Sequence, residues 1–251
     1  MGQLQDKTIV ITGAGRGLGR AFAEACAAEG AHVLIGELME DRAAETTEFL
    51  QDQGFQADSH PLDIGDPKSV EDFGDWLRTA AGPVHGLINN AAIATGIGGK
   101  LYDEIDIDTW DEVMRVNVRG TWLMVRATAP MMAEADGASI VNLASDTALW
   151  GAPRLLHYVS SKGAIIAMTR SLARELGPKN IAVNALAPGL VLVEATEYVP
   201  EERHKHYEDG RAIHRAQYPD DVVGAAVFLV SDAARFITGQ VLPVNGGFVF
   251  N

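Results

Sequence analysis

The chain has 251 residues, 47% of them hydrophobic, which is enough to bury a large core within a single domain spanning 1–251. Its 34 acidic against 20 basic residues give a formal charge of −14, and without a basic stripe this excludes a nucleic-acid backbone or an anionic membrane as partner. One cysteine, Cys26, excludes an intramolecular disulfide and a cysteine-built metal centre.

The N-terminus enters an apolar run by Thr8 with no basic leader, and no segment offers roughly 18 uncharged apolar residues, so a cytoplasmic chain with neither secretion signal nor membrane span is expected. Strand-like runs follow at Lys7–Thr12, His32–Gly36, Gln56–Leu62, Val84–Asn89, Ser139–Leu143, Ile181–Ala185 and Gln240–Val244. Between them lie helical stretches near Gly17–Glu29, Asp41–Gln53, Pro67–Ala80, Ile107–Ala133, Leu155–Leu176 and Pro219–Ser231. Strands such as Ile9-Val10-Ile11 and Gly86-Leu87-Ile88 are apolar on both faces rather than alternating. The expected fold is therefore α/β: a Rossmann-like, doubly wound sheet of about seven parallel strands with helices on both faces.

The first strand runs straight into Thr12-Gly13-Ala14-Gly15-Arg16-Gly17-Leu18-Gly19 and then into a helix. Glycines in that context permit a tight turn and the close approach of a pyrophosphate to N–H groups at the positive helix end. The second strand ends at Glu37, eighteen residues after Gly19, where a carboxylate can accept the adenosine ribose hydroxyls and repel a 2′-phosphate. That points to NAD over NADP, although Arg16 within the turn could neutralise a 2′-phosphate. Asp63, ending the third strand beside Ile64, could bond an adenine amino group or cap the next turn; the two readings stand level. After the fourth strand, Asn89-Asn90-Ala91-Ala92 offers small residues that let a cofactor lie close and amides that tie neighbouring backbone, a structural role for Asn89 among them.

Tyr158 and Lys162 are four apart on a helix, hence on one face, with Ser145 thirteen residues upstream at the end of a buried strand. A phenol is a poor base at neutral pH unless a cation stabilises the phenolate, and Lys162 is placed to do so. A Ser hydroxyl at the carboxyl edge of a parallel sheet can donate to an alkoxide or a ketone oxygen. Two long connections stand out. Residues 92–103 are rich in glycine and short side chains, and 188–218 is charged, carries His204, His206 and His214, and has the length of a substrate-binding lid. The three histidines lack cysteine or a helical H-E-x-x-H spacing and read as surface loop residues, so no metal is expected.

From Lys7 to Gly247 the chain resembles the short-chain dehydrogenase/reductase family in its compact single-domain form. The resemblance rests on Thr12-Gly13-x-x-x-Gly17-x-Gly19, Asp63, Asn89-Asn90-Ala91, Asn117, Ser145, Tyr158-x-x-x-Lys162, Pro188-Gly189 and the stretch from Thr238-Gly239-Gln240 to Gly246-Gly247. It implies Tyr158 as acid/base, Ser145 as the group that polarises the substrate oxygen, Lys162 as the residue that binds nicotinamide ribose and lowers the Tyr158 pKa, and Asn117 as the holder of a water linking Lys162 to solvent. The implied cofactor contacts are Gly13, Arg16, Gly17, Leu18, Gly19, Glu37, Asp63, Ile64, Asn89, Ala91, Tyr158, Lys162, Pro188, Gly189 and Val191. Ala92 and Asn245 depart from the family pattern, where a glycine and an acidic residue are usual.

The expected activity is reversible hydride transfer between NAD and a secondary alcohol or its ketone. Substrate contacts are assigned to Ser145, Thr147, Tyr158, Leu149, Trp150 and Leu190, with Ala92, Ile93, Thr95, Leu155 and Tyr198 nearby. Their apolar and aromatic character points to a hydrophobic or aryl substrate, while Leu149 and Trp150 could equally pack a lid or a subunit contact. The resemblance also admits an NADPH-dependent 3-oxoacyl-carrier-protein reductase, with Arg115, Arg119 and Arg126 docking an acidic carrier. A non-catalytic dinucleotide-binding regulator is the third reading. By the same resemblance a homotetramer or homodimer is expected, and the apolar end Gly247-Phe248-Val249-Phe250 suits an intersubunit contact.

Overall fold

A computed structural model describes residues 2–250. Its seven strands are β1 (Thr8–Thr12), β2 (His32–Glu37), β3 (Ala57–Pro61), β4 (Gly86–Asn89), β5 (Ala138–Leu143), β6 (Ile181–Pro188) and β7 (Val241–Val244), forming one sheet in the order β3-β2-β1-β4-β5-β6-β7. Every pairing is parallel. The strand order reverses between β1 and β4, and a crevice opens at the carboxyl ends of strands where such a reversal occurs.

The doubly apolar strands reflect two cores. Ile9 and Ile11 of β1 face one layer with Ile35, Ile88 and Val141, packed by α1 (Gly17–Ala28) and by α9 (Asp220–Val230). Val10 between them faces the other layer with Leu34, Leu87 and Ile140, packed by α3 (Pro67–Ala80), α5 (Thr121–Met132) and α7 (Leu156–Leu176). All three β1 residues are fully buried, so no polar residue is tolerated on either face. The remaining helices are α2 (Glu40–Asp52), α4 (Ile107–Met114), α6 (Thr147–Trp150) and α8 (Glu201–Gly210).

Three regions differ from the sequence expectation. The single helix over 107–133 is divided: α4 and α5 are joined by a π-helical turn at Arg115–Gly120, centred on Asn117. The 188–218 connection holds a short 3₁₀ turn at Glu194–Thr196 and the helix α8, whose only buried residue is Tyr207 and which therefore lacks an apolar stripe to announce it. Strand β6 runs three residues beyond Ala185, to Pro188, because Ala185–Pro188 pairs with Val241–Val244 of β7. No helix among the described residues is long and apolar enough to cross a membrane.

Candidate active site

At the β1–β4 reversal lies a cleft of about 660 Å³ whose walls include Gly13, Arg16, Gly17, Leu18 and Gly19 at one end and Ser145, Thr147, Tyr158, Lys162, Leu190 and Tyr198 at the other. Glu37, Asp63, Ile64, Ala91, Ala92, Ile93, Thr95, Leu155, Pro188, Gly189 and Val191 lie between or above them.

The glycine turn is shaped by contact. Gly13 has φ +67°, and a Cβ there would lie 2.8 Å from Ala91 Cα; a Cβ on Gly19 would lie 2.0 Å from the Gly13 carbonyl oxygen. Asn90 locks the same turn, its Nδ2 donating to the carbonyls of Thr12 (3.1 Å) and Gly13 (3.0 Å), while Thr12 Oγ1 accepts from the N–H groups of Asn90 and Ala91. Helix α1 starts after Arg16 with no side-chain cap and no acid in its first turn, leaving N–H groups directed at the cleft. These features fit a pyrophosphate. One residue opposes it: Glu194 Oε2 stands 3.5 Å from where a Gly17 Cβ would be.

Glu37 ends β2 with Oε2 accepting from Gly15 N (3.0 Å) and Oε1 from Met39 N (3.1 Å), which fixes the carboxylate beside the turn. Arg16 and Arg42 share that wall. Asp63 Oδ1 accepts from Gly65 N at 2.8 Å, so it does cap its own turn, while the residue still lines the cleft.

Asn89 is placed differently from its expected cofactor contact. Its Nδ2 donates to Asn142 Oδ1 (2.9 Å), and Asn142 Nδ2 donates to Thr169 Oγ1 (3.0 Å), a buried chain across β4, β5 and α7. The pleat turns Asn89 inward and leaves Asn90 on the cleft wall. Leu149 and Trp150 also stand behind the wall. Leu149 packs against the small core cluster of Ala144, Ile165, Ile166, Ala185 and Ala187, and Trp150 joins Tyr207, His206 and Phe248 in an aromatic cluster in which Tyr207 and Phe248 stack at 4.4 Å.

Ser145, two residues past β5, accepts hydrogen bonds from Thr147 Oγ1 (2.9 Å) and Thr147 N (3.3 Å), leaving its own proton free to donate. Burial pushes the Tyr158 hydroxyl up to about 12, and a hydrogen bond with Ser145 works against that rise. Lys162 is buried, its Nζ donating to the Leu143 carbonyl at 2.6 Å and lying 5.6 Å from the Tyr158 ring centre. Desolvation brings its ammonium down to about 8. The expected lowering of the Tyr158 pKa by Lys162 is not seen: desolvation of the phenol dominates, and only Ser145 works against it.

Asn117 sits in the π turn, 1% exposed. Its Oδ1 accepts from Ile93 N (2.7 Å) and its Nδ2 donates to Ile93 O (3.1 Å) and to Ser161 Oγ (3.1 Å), clamping the loop after β4 onto α7. The lid meets that loop from above through Tyr198 OH to Ala94 O (2.7 Å) and Thr95 Oγ1 to Ala195 O (3.3 Å).

Behind Ser145 lies a residue that sequence reasoning passed over. Asp146 is fully buried, its Oδ1 accepting from Tyr207 OH at 2.9 Å, and burial pushes its carboxyl up to about 6. Its place beside Ser145 was the available signal. Arg203 on α8 also reaches the cleft, although in sequence it belongs to a charged run that reads as solvated. The loop histidines are dispersed: His206 joins the aromatic cluster, His214 Nδ1 lies 3.3 Å from Glu208 O, and His204 faces a separate hollow near Arg20.

A family model described as Enoyl-(Acyl carrier protein) reductase matches residues 13–249. The chain is 34% identical to a 3-alpha-(or 20-beta)-hydroxysteroid dehydrogenase of Mycobacterium bovis over 99% of its own length and 91% of that protein's. To a 3-oxoacyl-acyl-carrier-protein reductase of Aquifex aeolicus it is 32% identical, with 98% of each chain covered. Among solved structures it resembles one from Beutenbergia cavernae, provisionally described as an NAD(P) dependent gluconate 5-dehydrogenase with NADP bound at low occupancy. The TM-score is 0.91 and the identity 35%, covering 98% of this chain and 97% of that one.

Proposed function

The chain belongs to the short-chain dehydrogenase/reductase family of NAD(P)-dependent oxidoreductases, and on that premise we propose that it oxidises a secondary alcohol or reduces the corresponding ketone, with NAD favoured as cofactor. The observation that carries this reading is that Ser145, Tyr158 and Lys162 line one cleft together with the glycine turn.

A nicotinamide cofactor in the cleft supplies the hydride acceptor for oxidation and the donor for reduction. Gly13, Gly17, Gly19 and the uncapped α1 start would hold its pyrophosphate, Glu37 its ribose hydroxyls, and Lys162 its nicotinamide ribose. Ser145, already accepting from Thr147, donates its proton to the substrate oxygen and so fixes the carbinol carbon for attack. Tyr158, neutral at physiological pH because its hydroxyl is held near 12, gives its proton to the ketone oxygen in reduction and takes it back in oxidation. Lys162, charged below about 8, stabilises the phenolate whenever the proton has left.

NAD is favoured because the Glu37 carboxylate is fixed at the ribose position, whereas Arg16 and Arg42 are the cations a 2′-phosphate would need. The carrier-protein reading is weaker: Arg115 is engaged by Glu112 at 2.6 and 2.7 Å, and Arg119 donates to the Gly65 carbonyl at 3.0 Å. Joint presence of Ser145, Tyr158 and Lys162 argues against a regulator without turnover. Leu155, Leu190, Val199 and Tyr198 support a hydrophobic or aryl substrate body. Exposed Trp122, Phe236 and Phe250 support a homo-oligomer.

The test is a panel of aliphatic, alicyclic, aryl and sugar-type secondary alcohols incubated with NAD or NADP, followed by the absorbance of the reduced nicotinamide. Turnover of one class with NAD supports the reading. Silence across the panel with cofactor binding demonstrated, or turnover with NADP alone, contradicts it.

A further inference from the structure

Arg203 lines the Ser145 end of the cleft from helix α8, and its Nη2 is buried with no hydrogen-bond partner among the described residues. Arg211 Nε is likewise buried without a partner among the described residues, but Arg211 does not line the cleft, and the other donors in this neighbourhood are in use. Tyr198 OH donates to Ala94 O, Tyr207 OH to Asp146 Oδ1, and Arg211, itself 3% exposed, donates to Leu190 O, Gln217 Oε1 and Arg215 O. The guanidinium is held in place, its central carbon 5.8 Å from the centre of the Trp150 ring, and Trp150 is itself held by Nε1–H donating to Tyr207 OH at 3.3 Å. A cation restrained against an aromatic face has already lost much of the rotamer freedom that binding would otherwise cost.

Asp146 is the carboxylate whose field Arg203 shares, but the two form no ion pair within 4.0 Å among the described residues; Asp146 Oδ1 is engaged by Tyr207, and Oδ2 is buried without a hydrogen-bond partner and out of reach of Arg203. Nor does Arg203 face the phosphate cradle. Val193 and Glu194, where the 3₁₀ turn begins, cover Gly17, whereas Arg203 lines the cleft with its guanidinium beside the Trp150 ring. A buried guanidinium edge without an acceptor is satisfied best by a planar anion that takes two N–H bonds at once.

We propose that Arg203 is a specificity-determining residue that binds a carboxylate on the substrate, so that the alcohol oxidised is a hydroxy acid whose hydroxyl lies at Ser145 and Tyr158 while its carboxylate lies on Arg203. This rests on the dehydrogenase reading of the same cleft. It adds a charge requirement to the hydrophobic or aryl body that Leu155, Leu190 and Tyr198 accommodate.

The test is calorimetric titration of the NADH-loaded protein with benzoate and with benzamide, which share size and ring and differ in charge. Benzoate is expected to bind about tenfold or more tighter than benzamide, Arg203→Met to erase that preference, and Arg203→Lys to retain part of it, with the melting temperature of each variant confirming that it is folded. Equal binding of the two probes, a preference that survives Arg203→Met, or no binding of either at millimolar concentration overturns the assignment. The alcohol panel separates this from the reaction itself. Benzoate preference through Arg203 in a protein that turns over neither the neutral alcohols nor a set of aliphatic and aryl hydroxy acids upholds the anion site and sinks the dehydrogenase reading, and oxidation of neutral alcohols with no benzoate preference does the reverse.

Discussion

Asn117 Nδ2 donates to Ser161 Oγ at 3.1 Å, joining the π turn between α4 and α5 to the helix that carries Tyr158 and Lys162. Ser161 in turn donates to the Tyr158 carbonyl at 2.7 Å. The clamp thus reaches the main chain of the proposed acid/base and, through Ile93, the loop that roofs the cofactor cleft.

Replacing Asn117 with Ala deletes three hydrogen bonds, one buried and two part-buried, and leaves Ile93 N–H without its acceptor. The expected cost is about 1–3 kcal/mol of stability, together with lower turnover because the loop and α7 lose their tie. Denaturant unfolding of the variant checks the first and steady-state kinetics the second; unchanged stability would contradict the clamp.

Lys162 makes stability depend on pH in the alkaline range. Its ammonium sits near 8 in the folded protein and at 10.5 when unperturbed, so between these values the unfolded chain binds a proton that the folded chain does not. Stability from this group therefore rises with pH across that window, by an amount on the order of a few kcal/mol. Lys162→Met lacks the term, so its stability relative to the wild type is greatest below pH 8 and shrinks as the pH approaches 10.5. A difference that stays flat across the range would show that burial does not hold this amine low.

Glu194 stands beside Gly17 at the positive end of α1, in the hollow next to the cleft that would hold a pyrophosphate. Glu194→Gln removes that like charge and is expected to tighten NADH binding by about two- to fivefold at low ionic strength, the scale of one charge at a helix terminus, with the gain fading as salt is added. Fluorescence titration of NADH against both proteins at two salt concentrations checks it. Weaker binding by the variant would mean that Glu194 assists the cofactor.

Glu37→Ser removes the fixed carboxylate and leaves Arg16 and Arg42 on the same wall. The ratio of kcat/KM for NADP over NAD is expected to rise by about tenfold or more. An unchanged ratio would place cofactor choice elsewhere.

The central strands were legible because burial on both faces demands unbroken apolar runs, as at Ile9-Val10-Ile11, and the glycine turn because Gly13 and Gly19 have no room for a side chain. The π turn was not, since no Gly-Pro or turn signal interrupts Arg115-Val116-Asn117-Val118-Arg119 and the bonds from Asn117 to Ile93 and Ser161 that accompany the break are tertiary. Helix α8 escaped because a helix that buries only Tyr207 needs no hydrophobic period. Asn89 takes the structural role that stood beside its expected cofactor contact, and Asn90 reaches the glycine turn instead, because neighbouring side chains at a strand end point to opposite faces. Arg203 became visible only when α8 folded over Trp150, which converts a charge in an apparently solvated run into one that lines the cleft.

The central claim is that Tyr158 moves the proton while other residues hold the cofactor. Its most direct test is Tyr158→Phe, assayed for turnover with the best alcohol from the panel and, in parallel, for NADH binding by titration. The account predicts a loss of turnover of about 10² to 10⁴-fold or more, with the NADH dissociation constant within a few-fold of the wild type. Turnover within tenfold of the wild type would contradict the acid/base assignment and with it the proposed chemistry of the cleft.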